Sequence, residues 1–295
     1  MPWRRTTDPY AIWVSEIMLQ QTRVAAAIPF YERFLARFPD VGTLARARID
    51  TVLALWSGLG YYRRARYLHA AARIVARDGF PRTAAGLRAL PGVGTYTANA
   101  IASIVYGEPA AVVDGNVERV LSRLHAMTGR DKRRWQELAD AWIARDAPGD
   151  HNQAVMELGA TVCTPRAPLC STCPVREACA GKREPERYPA PQPRAPLRDE
   201  RLAVAYIVRD GRVLLSRVAG DGLLAGMWEM PSSRAGGEPL AVIRHGVLDR
   251  RQHIAVHRGR ARTAGRWFSA SQLGAIPLTT AARKCLIQVG FLERR

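Results

Sequence analysis

The sequence predicts a multidomain fold: an all-α domain over residues 1–180, a Pro-rich connection over 181–199 and a small α+β domain over 200–295. Three observations carry this. From residue 10 to about 160, apolar residues recur at three- and four-residue spacing, the period of an amphipathic helix. Pro185, Pro189, Pro191, Pro193 and Pro196 then alternate with charges, which suits an extended, stiff segment. Beyond it the apolar pattern becomes strand-like, with one late helical stretch.

In order, the helical pattern covers 12–24, 31–38, 65–77, 117–127 and 135–144. Breakers divide these stretches: Pro39-Asp40, Gly58-Leu59-Gly60, Pro91-Gly92-Val93-Gly94, Asp114-Gly115-Asn116 and Pro148-Gly149-Asp150. In the second part, 202–208 and 213–218 flank Asp210-Gly211, a hairpin signal, and 279–289 reads as the single late helix.

The 295 residues are enough for two domains and a buried core. Their 44 Lys and Arg against 26 Asp and Glu leave a formal charge of +18, which points to a polyanionic partner, nucleic acid first. Only Lys132, Lys182 and Lys284 are lysines, so the cations are almost all arginine. A GC-rich genome accounts for arginine over lysine, but not for the surplus. No apolar run approaches the roughly 18–20 residues of a membrane span, and the first residues lack the apolar core of a signal peptide. The expectation is a soluble cytoplasmic protein that contacts no membrane.

Cys163, Cys170, Cys173 and Cys179 are spaced Cys-x6-Cys-x2-Cys-x5-Cys, while Cys285 stands apart on the late helix as a small core residue. Four thiolates this close suit a metal in a reducing compartment better than disulfides. One tetrahedral zinc or a [4Fe-4S] cube is compatible with them, although one short pair between two longer arms departs from the paired spacing of zinc sites.

Two carboxylates stand out. Glu16, if helical, has Ile12, Trp13, Leu19 and Gln20 as its neighbours, an apolar setting that raises a carboxyl pKa and lets it act as a general acid. The plainer alternative is a Glu that reaches solvent or pairs with Arg23. Asp114 ends the apolar run 110–113 at the start of a helix, where Asp commonly serves only as an N-cap. The same position also favours a negative charge. One carboxyl kept protonated and one kept ionised form the pair that cleaves acetal-type bonds, N-glycosidic bonds included. The turn Gly92-Val93-Gly94, running into Thr95, can offer backbone N–H groups to a phosphate, or can be an ordinary turn between helices.

Pro2-Trp3-Arg4, Asp8-Pro9-Tyr10, the run from Ser15 to Thr22, Gly58-Leu59-Gly60-Tyr61-Tyr62, the 88–104 helix-hairpin-helix, Asp114-Gly115-Asn116-Val117 and the four cysteines together resemble the MutY family of adenine DNA glycosylases. The resemblance is dense from residue 2 to about 180. It implies a monomeric base-excision repair enzyme, nucleoid-associated, that flips adenine from a mispair with 8-oxoguanine or guanine in double-stranded DNA and hydrolyses its glycosidic bond. It also implies a [4Fe-4S] cluster on the 163–179 loop, which tips the choice against zinc.

Carried over by position, the resemblance makes Glu16 the acid that protonates adenine at N7 and Asp114 the group that stabilises the oxocarbenium-like sugar. Asn116 orients them, and Tyr96 lines the site beside the sugar. Trp3, Arg4 and Glu157 surround the extruded base, while Gln21, Thr22, Leu59 and Tyr61 enter the duplex near the 8-oxoguanine. Gly92, Val93 and Gly94 hold the backbone. Strand-cutting endonuclease III relatives carry a lysine where Tyr96 stands, and no lysine precedes Lys132, so strand cleavage is not expected.

Residues 200–295 resemble a Nudix-like domain that helps recognise 8-oxoguanine, most clearly at 223–231, without the acidic helix that binds magnesium in Nudix hydrolases. Its expected reading loop is His253-Ile254-Ala255-Val256-His257, in which Ala255 and Val256 replace an aromatic and a hydroxyl residue and His257 remains a candidate contact; the plainer alternative is two solvated histidines in a strand. The competing readings are a thymine or broad-specificity mismatch glycosylase, a strand-cutting lyase, and a lesion-binding protein without catalysis. The intact Glu16 and Asp114 argue against the last.

Overall fold

The structure is a computed structural model that describes residues 1–193, 195–234, 237–259 and 264–293. Its helices in chain order are α1 (Pro9–Leu19), α2 (Val24–Arg37), α3 (Val41–Arg46), α4 (Ile49–Trp56), α5 (Arg63–Asp78), α6 (Ala84–Arg88), α7 (Thr95–Tyr106), α8 (Gly115–Leu124), α9 (Lys132–Trp142), α10 (Pro148–Thr161) and α11 (Thr280–Gln288). The strands are β1 (Arg198–Tyr206), β2 (Val208–Arg209), β3 (Arg212–Arg217), β4 (Trp228–Glu229), β5 (Ala241–Val247), β6 (Arg250–Arg258) and β7 (Arg266–Ser269). Helices therefore precede strands, as the change of periodicity predicts.

The chain divides into two compact units, Met1–Val24 with Ala71–Pro193, and Ala25–Ala70 with Arg194–Arg295. In the first, α1 is buried on almost every side, so its sequence is apolar nearly throughout rather than amphipathic. Asp8 caps it by accepting from the amides of Tyr10 and Ala11. It packs on α7, which also meets α6 and α10, and α8 lies between α9 and α10. Val117, Val120 and Leu121 of α8 pack with Trp135 of α9 and Val155 of α10, and Trp135 Nε1 donates to Ser122 Oγ at 2.9 Å.

In the second unit, Phe34, Phe38 and Trp56 stack edge to face. Strands β1, β6 and β5 form one sheet in that order, with β1 parallel and β5 antiparallel to β6. Strand β3 pairs with β2, β4 and β7 in a second sheet. The apolar faces of both and α11 enclose Val213, Leu215, Ile254, Val256, Phe268 and Leu286, and Cys285 is buried among them. The Asp210-Gly211 turn joins β2 to β3 with φ of 50° and 67°, the left-handed pair that a two-residue hairpin requires.

Three features differ from the sequence expectation. Residues 25–70 group with the C-terminal part of the chain: Ser57 Oγ donates to Leu278 O at 2.6 Å, Tyr62 Oη meets Thr280 Oγ1 at the start of α11 at 3.0 Å, and Arg66 donates to Ala225 O and Gly222 O. Periodicity marks a helix, but it does not say which core its apolar face joins. Pro148-Gly149-Asp150 is no break but the first turn of α10, where proline's missing N–H costs nothing. The first half of the Pro-rich stretch is not a free tether, because Gly181 N and Ala190 N donate to Arg123 O and Thr128 O in the first unit. A side chain at Gly181 would stand 2.6 Å from Arg123 O, so that close approach requires glycine.

Candidate active site

Helix α1 ends at Leu19, and Gln21 turns the chain with φ of 55°, earlier than the periodicity suggests. Glu16, one turn before that end, is buried at 6% exposure, and its Oε2 has no hydrogen-bond partner. Burial pushes its carboxyl up to about 7; Tyr96 and Arg4 pull it down and the charge of Asp114 pushes it up. Arg23 is exposed and makes no ion pair with it among the described residues.

Asp114 is delivered by the extended run 110–113, which buried amides pin in place. Asn152 Oδ1 accepts from Val112 N at 3.1 Å, Asn152 Nδ2 donates to Ala110 O at 2.9 Å, and Asn99 Nδ2 donates to Ala111 O at 2.7 Å. Asp114 Oδ1 then caps α8, accepting from Asn116 N at 2.9 Å and Val117 N at 2.8 Å, while Asn116 Nδ2 reaches its Oδ2 at 3.3 Å. The capping role is therefore real. It coexists with exposure to a cavity, because Asp114 and Glu16 line the same pocket.

That pocket also takes in Trp3, Arg4, Thr22, Tyr96, Asn116 and Glu157. Arg4 Nη2 pairs with Glu157 Oε2 at 3.4 Å. The Tyr96 hydroxyl donates to Met156 Sδ at 3.0 Å, and burial first, then the charges of Glu16 and Asp114, drive its pKa far above the usual phenol value. Chemically, the pocket offers one carboxyl that keeps a proton near neutrality, a second that is an acceptor fixed by N–H donors, and an aromatic wall.

The hairpin between α6 and α7 places Gly92 at φ of 77°, with Val93 N bonded to Leu90 O at 3.1 Å and Val93 buried. Gly92, Gly94 and Thr95 are exposed, and Gly94 caps α7 without a side chain, so the first-turn amides face outward.

The four cysteines line one cavity and are free thiols. Arg123, buried in α8, donates to Cys163 Sγ at 3.3 Å, Thr164 O at 2.7 Å, Pro165 O at 3.1 Å and Pro185 O at 2.7 Å. Its own carbonyl accepts from Cys179 Sγ at 3.4 Å. Among the described residues no three Cys, His, Asp or Glu side chains are gathered as ligands of one metal ion.

Residues 14–145 match the HhH-GPD superfamily of base excision DNA repair proteins. The chain is 39% identical over 298 residues to a human adenine DNA glycosylase, covering 79% of this chain and 54% of that one, and 37% identical over 281 residues to one from Arabidopsis thaliana, covering 79% and 45%. The chain carries an HhH-GPD domain over residues 14–145. It spans about half the length of these relatives. Among solved structures, a thermostable thymine-DNA glycosylase superposes with a TM-score of 0.58 at 29% identity, covering 62% of this chain and 88% of that one. An endonuclease III–DNA covalent intermediate superposes with a TM-score of 0.54 at 23% identity, covering 61% and 86%, and shows the fold alone. No helix among the described residues is long and apolar enough to cross a membrane.

Not every residue chosen from sequence joins the pocket. Gln21 is exposed at its turn, and Leu59 and Tyr61 lie in the second unit, in the loop between α4 and α5. Leu59 is buried, whereas Tyr61 is 40% exposed and held at φ of 48°, an unusual conformation for a bulky residue. The run 253–257 is no loop but the interior of β6. Its even positions, Ile254 and Val256, enter the core, and His257 is buried and paired with Ala205. The apparent histidine motif reflects the two-residue period of a strand.

Sequence reasoning missed Arg119, Met156 and Gly159. Arg119 Nη2 donates to Asn116 Oδ1 at 3.0 Å and Gly159 O at 2.7 Å, and its Nε donates to Cys163 O at 2.8 Å. A Cβ on Gly159 would stand 2.7 Å from Asn116 Cβ, so α10 reaches Asn116 only through glycine. The three-residue spacing from Asn116 to Arg119 was the available signal.

Proposed function

We propose that the protein is a monofunctional DNA glycosylase that removes adenine mispaired with 8-oxoguanine or guanine from double-stranded DNA. The observation that carries this reading is the carboxyl pair: Glu16, titrating at about 7, and Asp114, fixed at a helix start, on one pocket. Breaking an N-glycosidic bond asks for these two states side by side. The target base must leave the stack to reach them.

In this mechanism Trp3, Arg4 and Glu157 receive the extruded adenine. Glu16 delivers its proton to N7, and the electron pair of the glycosidic bond departs with the base. Asp114, held by Asn116, faces the cation left on the sugar until water adds there. Tyr96 supplies no amine to attack the sugar, and no lysine precedes Lys132, so the strand stays intact. Gly92, Val93, Gly94 and the first-turn amides of α7 hold a phosphate, while Gln21 and Thr22 contact the duplex around the lesion. The +18 charge supplies the general affinity.

Cys163, Cys170, Cys173 and Cys179 fit a [4Fe-4S] cluster by donor type, by their shared cavity and by the guanidinium donating to Cys163. When bound, such a cluster cross-links its loop at four points. We place the protein in the cytoplasm with the nucleoid, as a monomer. The α+β part joins in recognising the base opposite adenine through residues other than the buried His257.

A second reading, thymine release from a mismatch, is favoured by the likeness to the thymine-DNA glycosylase at 29% identity. A single-turnover comparison of wild type and Glu16→Gln on a duplex with adenine opposite 8-oxoguanine tests the first. Release by wild type alone supports it, and equal release by both overturns the acid assignment.

A further inference from the structure

The Tyr96 hydroxyl has an unexpected acceptor. It stands on the pocket wall within influence of Glu16, whose Oε2 is buried and unpartnered, yet it donates to the thioether of Met156 at 3.0 Å. A thioether is a weak acceptor. The bond is therefore easily exchanged, and a small change at sulfur decides where the hydroxyl points.

Met156 lies on α10, lines the pocket with Glu16 and Asp114, and is only partly buried. Among the other methionines, Met18, Met227 and Met230 are almost fully buried, Met127 is partly buried like Met156, and Met1 is 42% exposed.

We propose that Met156 is an oxidation site that controls the Tyr96 hydroxyl and, through it, the protonation of Glu16. The oxidant is hydrogen peroxide. Its O–O bond breaks, one oxygen forms a bond to Sδ, and the other leaves as water; sulfur is oxidised as peroxide is reduced. The sulfoxide oxygen is a strong acceptor and captures the Tyr96 hydroxyl. The hydroxyl, which exchanges between the weak thioether acceptor and Glu16 in the unoxidised protein, is no longer shared, so Glu16 loses the hydrogen bond that lowers its pKa, while burial, Arg4 from the N-terminal turn, Asp114 from the start of α8 and Glu157 from α10 remain around it. The carboxyl keeps its proton to higher pH, and a polar group enters the wall where a base would pack. Met156 is a positioning residue in this role. The effect on base release rests on the proposed glycosylase reading, whereas the effect on Glu16 does not.

The test uses the full-length protein, free of DNA, treated with hydrogen peroxide and mapped by peptide mass spectrometry. Glu16 is then titrated by carbon-13 NMR of labelled carboxyls. Met156 is expected to gain one oxygen ahead of Met18, Met227 and Met230, and the Glu16 titration is expected to move to higher pH. Methionine sulfoxide reductases should reverse both changes. Met156→Gln, which supplies a polar acceptor without oxidant, should reproduce the upward shift, and Met156→Leu should leave the Glu16 titration unmoved by peroxide. A Met156 that stays unoxidised while Met1 oxidises, or a Glu16 titration that is the same in oxidised wild type and in Met156→Gln as in untreated protein, overturns the proposal. Failure of wild type to release adenine would count against the glycosylase reading and leave the NMR result standing.

Discussion

Arg119 holds Asn116 from the side opposite Asp114: its Nη2 donates to Asn116 Oδ1 at 3.0 Å, which leaves Asn116 Nδ2 aimed at Asp114 Oδ2 at 3.3 Å. The same guanidinium ties down Cys163 O and Gly159 O, so one side chain fixes the active-site amide, the end of α10 and the entry to the cysteine loop. Arg119→Met leaves Asn116 Oδ1, Gly159 O, Cys163 O and Gly115 O without this donor. The expected loss is roughly 2–4 kcal/mol of stability, read by urea unfolding, together with slower base release. Wild-type stability with wild-type release would show that these bonds are incidental.

Asp114→Asn separates capping from catalysis. Asparagine caps a helix about as well as aspartate, so stability should change by only a few tenths of a kcal/mol. Removal of the negative charge should lower single-turnover release by roughly 100-fold or more. A rate that follows stability instead would reduce Asp114 to a cap.

Glu16 makes stability and rate depend on pH in the same direction. Its carboxyl ordinarily titrates near 4.5 and in the folded chain at about 7, so between these values the folded state binds more protons. Stability is fully present below about 4.5 and declines as pH rises to about 7, by on the order of 3 kcal/mol. Base release should decline above about 7 as the acid loses its proton. Glu16→Gln removes this contribution to the stability profile, which a comparison of urea midpoints across pH would detect.

The two hairpin glycines should respond differently. Gly92 has φ of 77°, so Gly92→Ala strains the turn by about 1 kcal/mol. Gly94 has φ of −88°, and no atom lies within 4 Å of the point where a Cβ would stand, so Gly94→Ala should fold normally. Because its side chain would occupy the space a phosphate needs, duplex affinity should still weaken. Unchanged affinity in Gly94→Ala would argue that the hairpin only joins two helices.

What the sequence revealed follows from the range of the forces involved. The Asp210-Gly211 hairpin and the Asp114 cap are local, set by turn chemistry, and they are found as expected; the helical period locates α5, α8 and α9 but not the early end of α1 or the start of α10 at Pro148. The apolar setting of Glu16 was visible because nearly all of α1 is apolar. The partnership of residues 25–70 with the C-terminal part was not visible, since any apolar helix face fits more than one core. Met156 and Gly159 were hidden because their importance lies in what approaches them from α7 and α8, and the strand period at 253–257 imitated a histidine motif.

Adenine-specific, monofunctional chemistry is tested most sharply by single-turnover base release from four duplexes carrying adenine opposite 8-oxoguanine, guanine or thymine, and thymine opposite guanine, each scored with and without alkaline strand cleavage. Adenine should be released opposite 8-oxoguanine and guanine, with strand breaks appearing only after alkali. Preferential thymine release, or strand breaks without alkali, would refute it.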